Sequence, residues 1–306
     1  MNLEQVHKVA DAILYEGYLL YPYRPSSMKN RQRWTFGGLF PPSYAERAGE
    51  PSSFETQLLM TGANARLEAE IRFLHLRARE LPEAANWQEA AERCVVVEPL
   101  SLAGLLPRPF AERFAFSSSR DAVYRQEHIQ GNVEISAARI DGSASKLTIR
   151  VANQTQLDLP ENTLRDEASM SALVAAHAIV CVKDGEFVSL ADPPAELREA
   201  AAQCANRGVW PVLAGEEGSR GCVLASPIIL SDYPQIAPES PGDLFDGAEI
   251  DEILTLRILT MTDAEKEAMR TADERARQLL ERTEALGPEE LINLHGVLRD
   301  PHRGAR

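Results

Sequence analysis

The chain has 306 residues, 44% of them hydrophobic and 25% charged, with a formal net charge of −14. That length supports one large domain or two ordinary ones, each with an ample core, and that composition excludes a disordered chain. The acidity excludes general affinity for nucleic acid or an anionic membrane, because both require a field that attracts phosphate.

In chain order, the first element is a helix from Leu3 to about Tyr15, where Leu3, Val6, Val9 and Ile13 recur at helical spacing. Glu4, Asp11 and Glu16 interrupt the apolar residues that a signal peptide would need, and no later run approaches the ~18 residues of a membrane span. The expected location is therefore the cytoplasm. From Gly17 to Gly49 the prolines at 22, 25, 41 and 42 prevent long regular elements, so this stretch is expected to be ordered loop or edge strand.

The period then changes to two. In "ARLEAEIRFLHLRARE" Leu67, Ala69, Ile71 and Phe73 alternate with charged residues, the pattern of a half-buried antiparallel strand. "NVEISAARI" and "KLTIRVANQ" flank Asp141-Gly142 as a hairpin with Val133, Ile135, Leu147, Ile149 and Val151 on one side. Further on, "SMSALVAAHAIVCV" reads equally as helix or buried strand, Asp184-Gly185 suggests a second hairpin, and "VWPVLA" and "CVLASPIIL" read as buried strands. Two helices follow the Pro- and Gly-rich connector after Ser231, one near 248–260 and one near 263–285. Capping boxes are expected at Asp246/Glu249 and Thr262/Glu265.

The expected architecture is α+β: an antiparallel, sandwich-like β core with an N-terminal helix and a helical C-terminal segment. Residues 1–165 would hold the first helix, the aromatic and basic segment and the β domain. Residues 166–245 would pack on that domain or belong to it, and 246–306 would carry the terminal helices.

No phosphate-binding glycine loop, nucleophile elbow or H-E-x-x-H spacing occurs, so no catalytic residue and no cofactor is assigned. The four cysteines form no C-x-x-C pair and read as buried thiols of a reducing compartment. His177 and Cys181, four residues apart, are the weak candidates for a metal site, and a metal-dependent enzyme or metal carrier is the alternative function.

The densest unusual composition is "EGYLLYPYRPSSMKNRQRW". Tyr21, Tyr23, Arg24, Lys29, Arg31, Arg33 and Trp34 are the residue types that dominate protein interfaces, and a protein client is the expected partner. An internal role, with the rings on the sheet and the arginines on the acidic C-terminal segment, is equally compatible. A homo-oligomer also stays open.

"VADAILYEGYLLYPYRPSSMKNRQRWTFGG" and "SPIILSDYPQIAPESPGDLFDGAEIDEILTLRILTMTD" together resemble a bacterial family associated with gene clusters for nickel–iron hydrogenases. The resemblance implies a cytoplasmic accessory protein in hydrogenase assembly or maturation, with a hydrogenase subunit or maturation factor as client. It carries over no catalytic residues.

Overall fold

The computed structural model describes residues 3–24, 27–31, 33–79, 87–142, 144–157, 160, 162–236, 242, 244, 251–287, 290, 291 and 294. The chain divides into two compact units, Met1–Leu14 with Trp34–Gln235, and Tyr15–Arg33 with Ile236–Arg306.

The larger unit opens with α1 (Leu3–Tyr15) and α2 (Pro42–Ala48). It continues through β1 (Ser53–Thr61), β2 (Arg66–Arg79), β3 (Gln88–Ser101), α3 (Leu102–Leu105), β4 (Phe110–Phe116), β5 (Ser119–Arg120), β6 (Tyr124–Gln126), β7 (Ile129–Asp141) and β8 (Ala144–Asn153). After α4 (Arg165–Ser169) come β9 (Val174–Lys183), β10 (Glu186–Val188), α5 (Arg198–Ala202), β11 (Trp210–Leu213) and β12 (Cys222–Ser226). All pairings are antiparallel. One sheet runs β10-β1-β8-β7-β4; the other runs β11-β12-β9-β2-β6-β5, with β3 paired to β2.

One apolar core joins the inner faces of both sheets. Leu67, Ala69, Ile71 and Phe73 of β2 meet Val133, Ile135, Leu147, Ile149 and Val151 of the β7–β8 hairpin, the faces that the period-two pattern predicts. Phe73 also packs against Phe114 and Phe116 of β4, with ring centroids 5.8 and 5.7 Å away. Gly131 of β7 must lack a side chain here, because a Cβ would lie 2.3 Å from the Phe114 ring.

The outer face of the second sheet is covered at one end. Val6, Val9, Ala10 and Ile13 of α1 bury against Ile179, Cys181, Val212, Cys222 and Leu224. This explains why "VAAHAIVCV" shows no alternation: both faces of β9 are buried, so the contrast between faces is erased. The expected second hairpin does not form. At Asp184-Gly185 the chain leaves one sheet for the other, and β10 pairs with β1. Because β9 and β12 extend the sheet begun by β2, residues 166–235 belong to the β domain.

The smaller unit carries α6 (Asp251–Leu259), α7 (Asp263–Ala272) and α8 (Glu274–Glu284). Thr262 and Glu265 form the expected capping box: Glu265 N–H donates to Thr262 Oγ1 at 3.3 Å, and Thr262 N–H donates to Glu265 Oε2 at 2.9 Å. The Asp246/Glu249 pair lies outside the described residues. A single helix over 263–285 is corrected to two, because Asp273 adopts extended backbone and its carboxylate accepts the Ala276 N–H at 2.8 Å as an N-cap. Among the described residues, no helix is long and apolar enough to cross a membrane.

Candidate functional site

The aromatic and basic segment turns inward. Asn30, only 4% exposed, pins its loop: its Oδ1 accepts the Leu20 N–H at 2.6 Å, and its Nδ2 donates to the Leu20 carbonyl at 2.7 Å and the Arg24 carbonyl at 3.1 Å. Tyr23 is fully buried, with its hydroxyl directed at the Leu244 carbonyl 3.4 Å away. Arg24 pairs with Glu265 of α7. Arg33 is buried and donates from Nη1 to the Tyr18 carbonyl at 2.9 Å, with its guanidinium 5.8 Å from the Tyr18 ring centroid.

The C-terminal helices return the contact. Arg257 of α6 stands 5.0 Å over the Tyr21 ring, and Arg275 of α8 stands 3.3 Å over the Tyr15 ring. Arg–Tyr stacking and the partly exposed Arg24–Glu265 pair are thus among the contacts that join the 15–33 segment to the C-terminal helices. Among the contacts described, Tyr15 and Tyr21 stack with C-terminal arginines, Tyr18 with Arg33, and the Tyr23 hydroxyl meets the Leu244 carbonyl.

Trp34 belongs to the β domain. Its Nε1–H donates to Gln88 Oε1 at 3.0 Å, and Gln88 Nε2 in turn donates to the Asp166 carbonyl at 2.6 Å. Tyr23, Arg33 and Trp34, three of the residues expected to face a client, have buried side chains. Lys29 is exposed and Tyr21 half-buried, while the side chain of Arg31 lies outside the described residues.

The metal candidates part company. Cys181 on β9 lies directly opposite Cys222 on β12, Cα to Cα 4.2 Å, and the two are bonded as a disulfide. This corrects the reading of the cysteines as thiols: only Cys94 and Cys204 are free. Cys181 therefore offers no thiolate to a metal. His177 is fully buried; its Nδ1–H donates to the Ala175 carbonyl at 2.9 Å, and its Nε2 meets no partner among the described residues. Burial is the main cause that pushes its pKa down to about 4, so the ring is neutral. Among the described residues, no three His, Cys, Asp or Glu side chains gather as metal ligands would.

His75 is buried in the same state. One ring nitrogen donates to the Glu127 carbonyl at 2.8 Å, the other faces Arg93 Nε at 3.5 Å, and burial lowers its pKa to about 4. Neither imidazole lines either of the two cavities formed by described residues alone, one beside β4 and β7 and one beside β3.

What the molecule does present is a groove of about 150 Å³ on the outer face of the second sheet, between the start of α1 and β3. Its apolar walls include Leu3, Val96, Pro99 and Ile179; Glu68, Glu70 and Glu98 line it, and Cys181 contributes to its surface. The β2–β3 register sets Val96 directly opposite Glu70, and Val96 is 65% exposed. Glu68 pairs with Lys183 at 2.5 Å and Glu70 with His7 at 3.1 Å, while Glu98 has no ion-pair partner among the described residues. Val96–Pro99 of β3 form one side of the groove, and β3 is a 14-residue strand that among the described residues pairs on one side only, with β2. Sequence reasoning missed this site. The polar positions of "RLEAEI" and the β-branched "CVVVEPL" were visible, but only the strand register brings them together.

No family model matches this chain, and no curated protein matches it.

Proposed function

We propose that the protein is a non-catalytic cytoplasmic accessory that binds an extended segment of a protein client along β3. The observation that carries this reading is the edge of β3 that pairs with no strand among the described residues, beside an apolar, acid-lined groove. An exposed strand edge offers a row of N–H and C=O groups to an incoming strand, and the pockets beside it select side chains. The carboxylates of Glu68, Glu70 and Glu98, in a chain of net charge −14, favour a segment that interleaves Lys or Arg with apolar residues. Pro99 limits pairing at one end of the strand, which points to Glu92–Glu98 as the docking stretch. The resemblance to a family of nickel–iron hydrogenase gene clusters supplies the client class: a hydrogenase subunit or maturation factor.

The test is affinity purification from the native host, with identification of the recovered proteins and comparison with a Val96→Lys/Glu98→Lys variant. Recovery of a hydrogenase subunit or maturation factor by the wild type, with at least a tenfold loss in the variant, is the expected result; about 1.4 kcal/mol corresponds to that factor. Equal recovery by both proteins removes β3 as the docking edge, and absence of any hydrogenase component removes the client class.

A further inference from the structure

We propose that the Cys181–Cys222 bridge is an exchangeable disulfide, opened by a thiol that enters the acidic groove and attacks the sulfur of Cys181. The bridge joins adjacent strands at directly opposed positions. Its two halves differ in access: Cys181 contributes to the groove surface and is 9% exposed, whereas Cys222 is 1% exposed beneath α1. Attack follows access, so the incoming thiolate meets Cys181. In that step the R–S⁻ electron pair forms a bond to Cys181 Sγ, the Cys181–Cys222 bond breaks, and Cys222 leaves as a thiolate that takes up a proton. A second thiol then attacks the mixed disulfide and releases Cys181 as thiolate, giving RSSR and a protein dithiol.

The groove also chooses among thiols. Three carboxylates line the approach, and among the described residues only Glu68 and Glu70 have ion-pair partners, so the local field is negative. An anionic thiol is repelled and a cationic aminothiol is favoured, by about tenfold per thiolate for two charges of difference at low ionic strength. The inference is independent of client binding, because small thiols alone report on it.

The first experiment reduces the wild-type protein with cysteamine, 2-mercaptoethanol and 3-mercaptopropionate, with rates corrected for thiolate fraction. The expected order is cationic over neutral over anionic, with the spread collapsing in 1 M salt, where the screening length is about 3 Å. The second treats the Cys222→Ser and Cys181→Ser variants with cystamine and maps the mixed disulfides by mass spectrometry, which separates them from Cys94 and Cys204. Cys181 is expected to be modified at least about tenfold faster than Cys222. Rates that ignore the charge of the thiol, or Cys222 reacting as fast as Cys181, overturn the proposal. Should either variant fail to fold, the wild-type rates decide it alone.

Discussion

Acidification from pH 7 to pH 5 is expected to cost the protein about 4 kcal/mol of folding stability, about half from each of His75 and His177. Both rings are fully buried, and in both burial is the leading cause that lowers the folded pKa to about 4. In the unfolded chain each would titrate near pH 6.5. Between these values the unfolded state binds the more protons, so stability is complete above pH 6.5 and falls as pH drops toward 4. Near His75 the charges of Arg93 and His128 reinforce burial, and the Glu127 carbonyl opposes it. At His177 Arg72 reinforces burial, while the Ala175 carbonyl and Asp11 oppose it. Urea unfolding at the two pH values checks the size of the effect, and His75→Gln and His177→Leu should each remove about half of the slope. A wild-type change below about 1 kcal/mol would falsify the assignment of two neutral buried imidazoles. The consequence for function is direct: a proton-transfer residue working near neutrality needs a pKa near 7 and access to substrate, and these two histidines have neither.

Where one face of a strand is wet, the sequence announces it. Leu67 to Phe73 and the β7–β8 hairpin were legible down to which residues face the core, because each strand has a polar side. Legibility ended at β9, where α1 covers the second face and the alternation of "VAAHAIVCV" disappears. It ended again at Asp273, where a local side-chain cap breaks a helix whose composition would continue through it. The disulfide was hidden for a different reason. Cys181 and Cys222 are 41 residues apart, and only strand order and register place them opposite one another. The groove depends on the same information, since Glu70 and Val96 become neighbours through pairing alone. The aromatic and basic segment was visible as an anomaly of composition, but composition does not give direction: the same tyrosines and arginines serve an interface or an internal stack.

Trp34 separates those two uses most sharply. An interface anchor truncated to alanine loses the client and leaves the fold intact, whereas a buried tryptophan loses the fold. Trp34 is 4% exposed, donates to Gln88 and, through its carbonyl, accepts from Arg165 Nη2 at 3.1 Å. It also sits at φ 62°, so alanine there keeps the backbone cost while losing the ring. Trp34→Ala is therefore expected to destabilise the protein by about 3–5 kcal/mol. In a unit of this size that lowers the melting temperature by roughly 10 °C. Trp34→Phe keeps most of the packing and removes the Nε1–H···Oε1 hydrogen bond to Gln88, at a cost of about 1–2 kcal/mol. A double-mutant cycle with Gln88→Ala should return a coupling of about 1 kcal/mol, since the two side chains share one hydrogen bond. The opposite result would be a Trp34→Ala protein that melts within a few degrees of the wild type and recovers no client, and it would return the residue to the surface. The expected result is lower stability in Trp34→Ala with the remaining β fold otherwise intact, the outcome for a residue whose ring and Nε1–H are used inside the β domain.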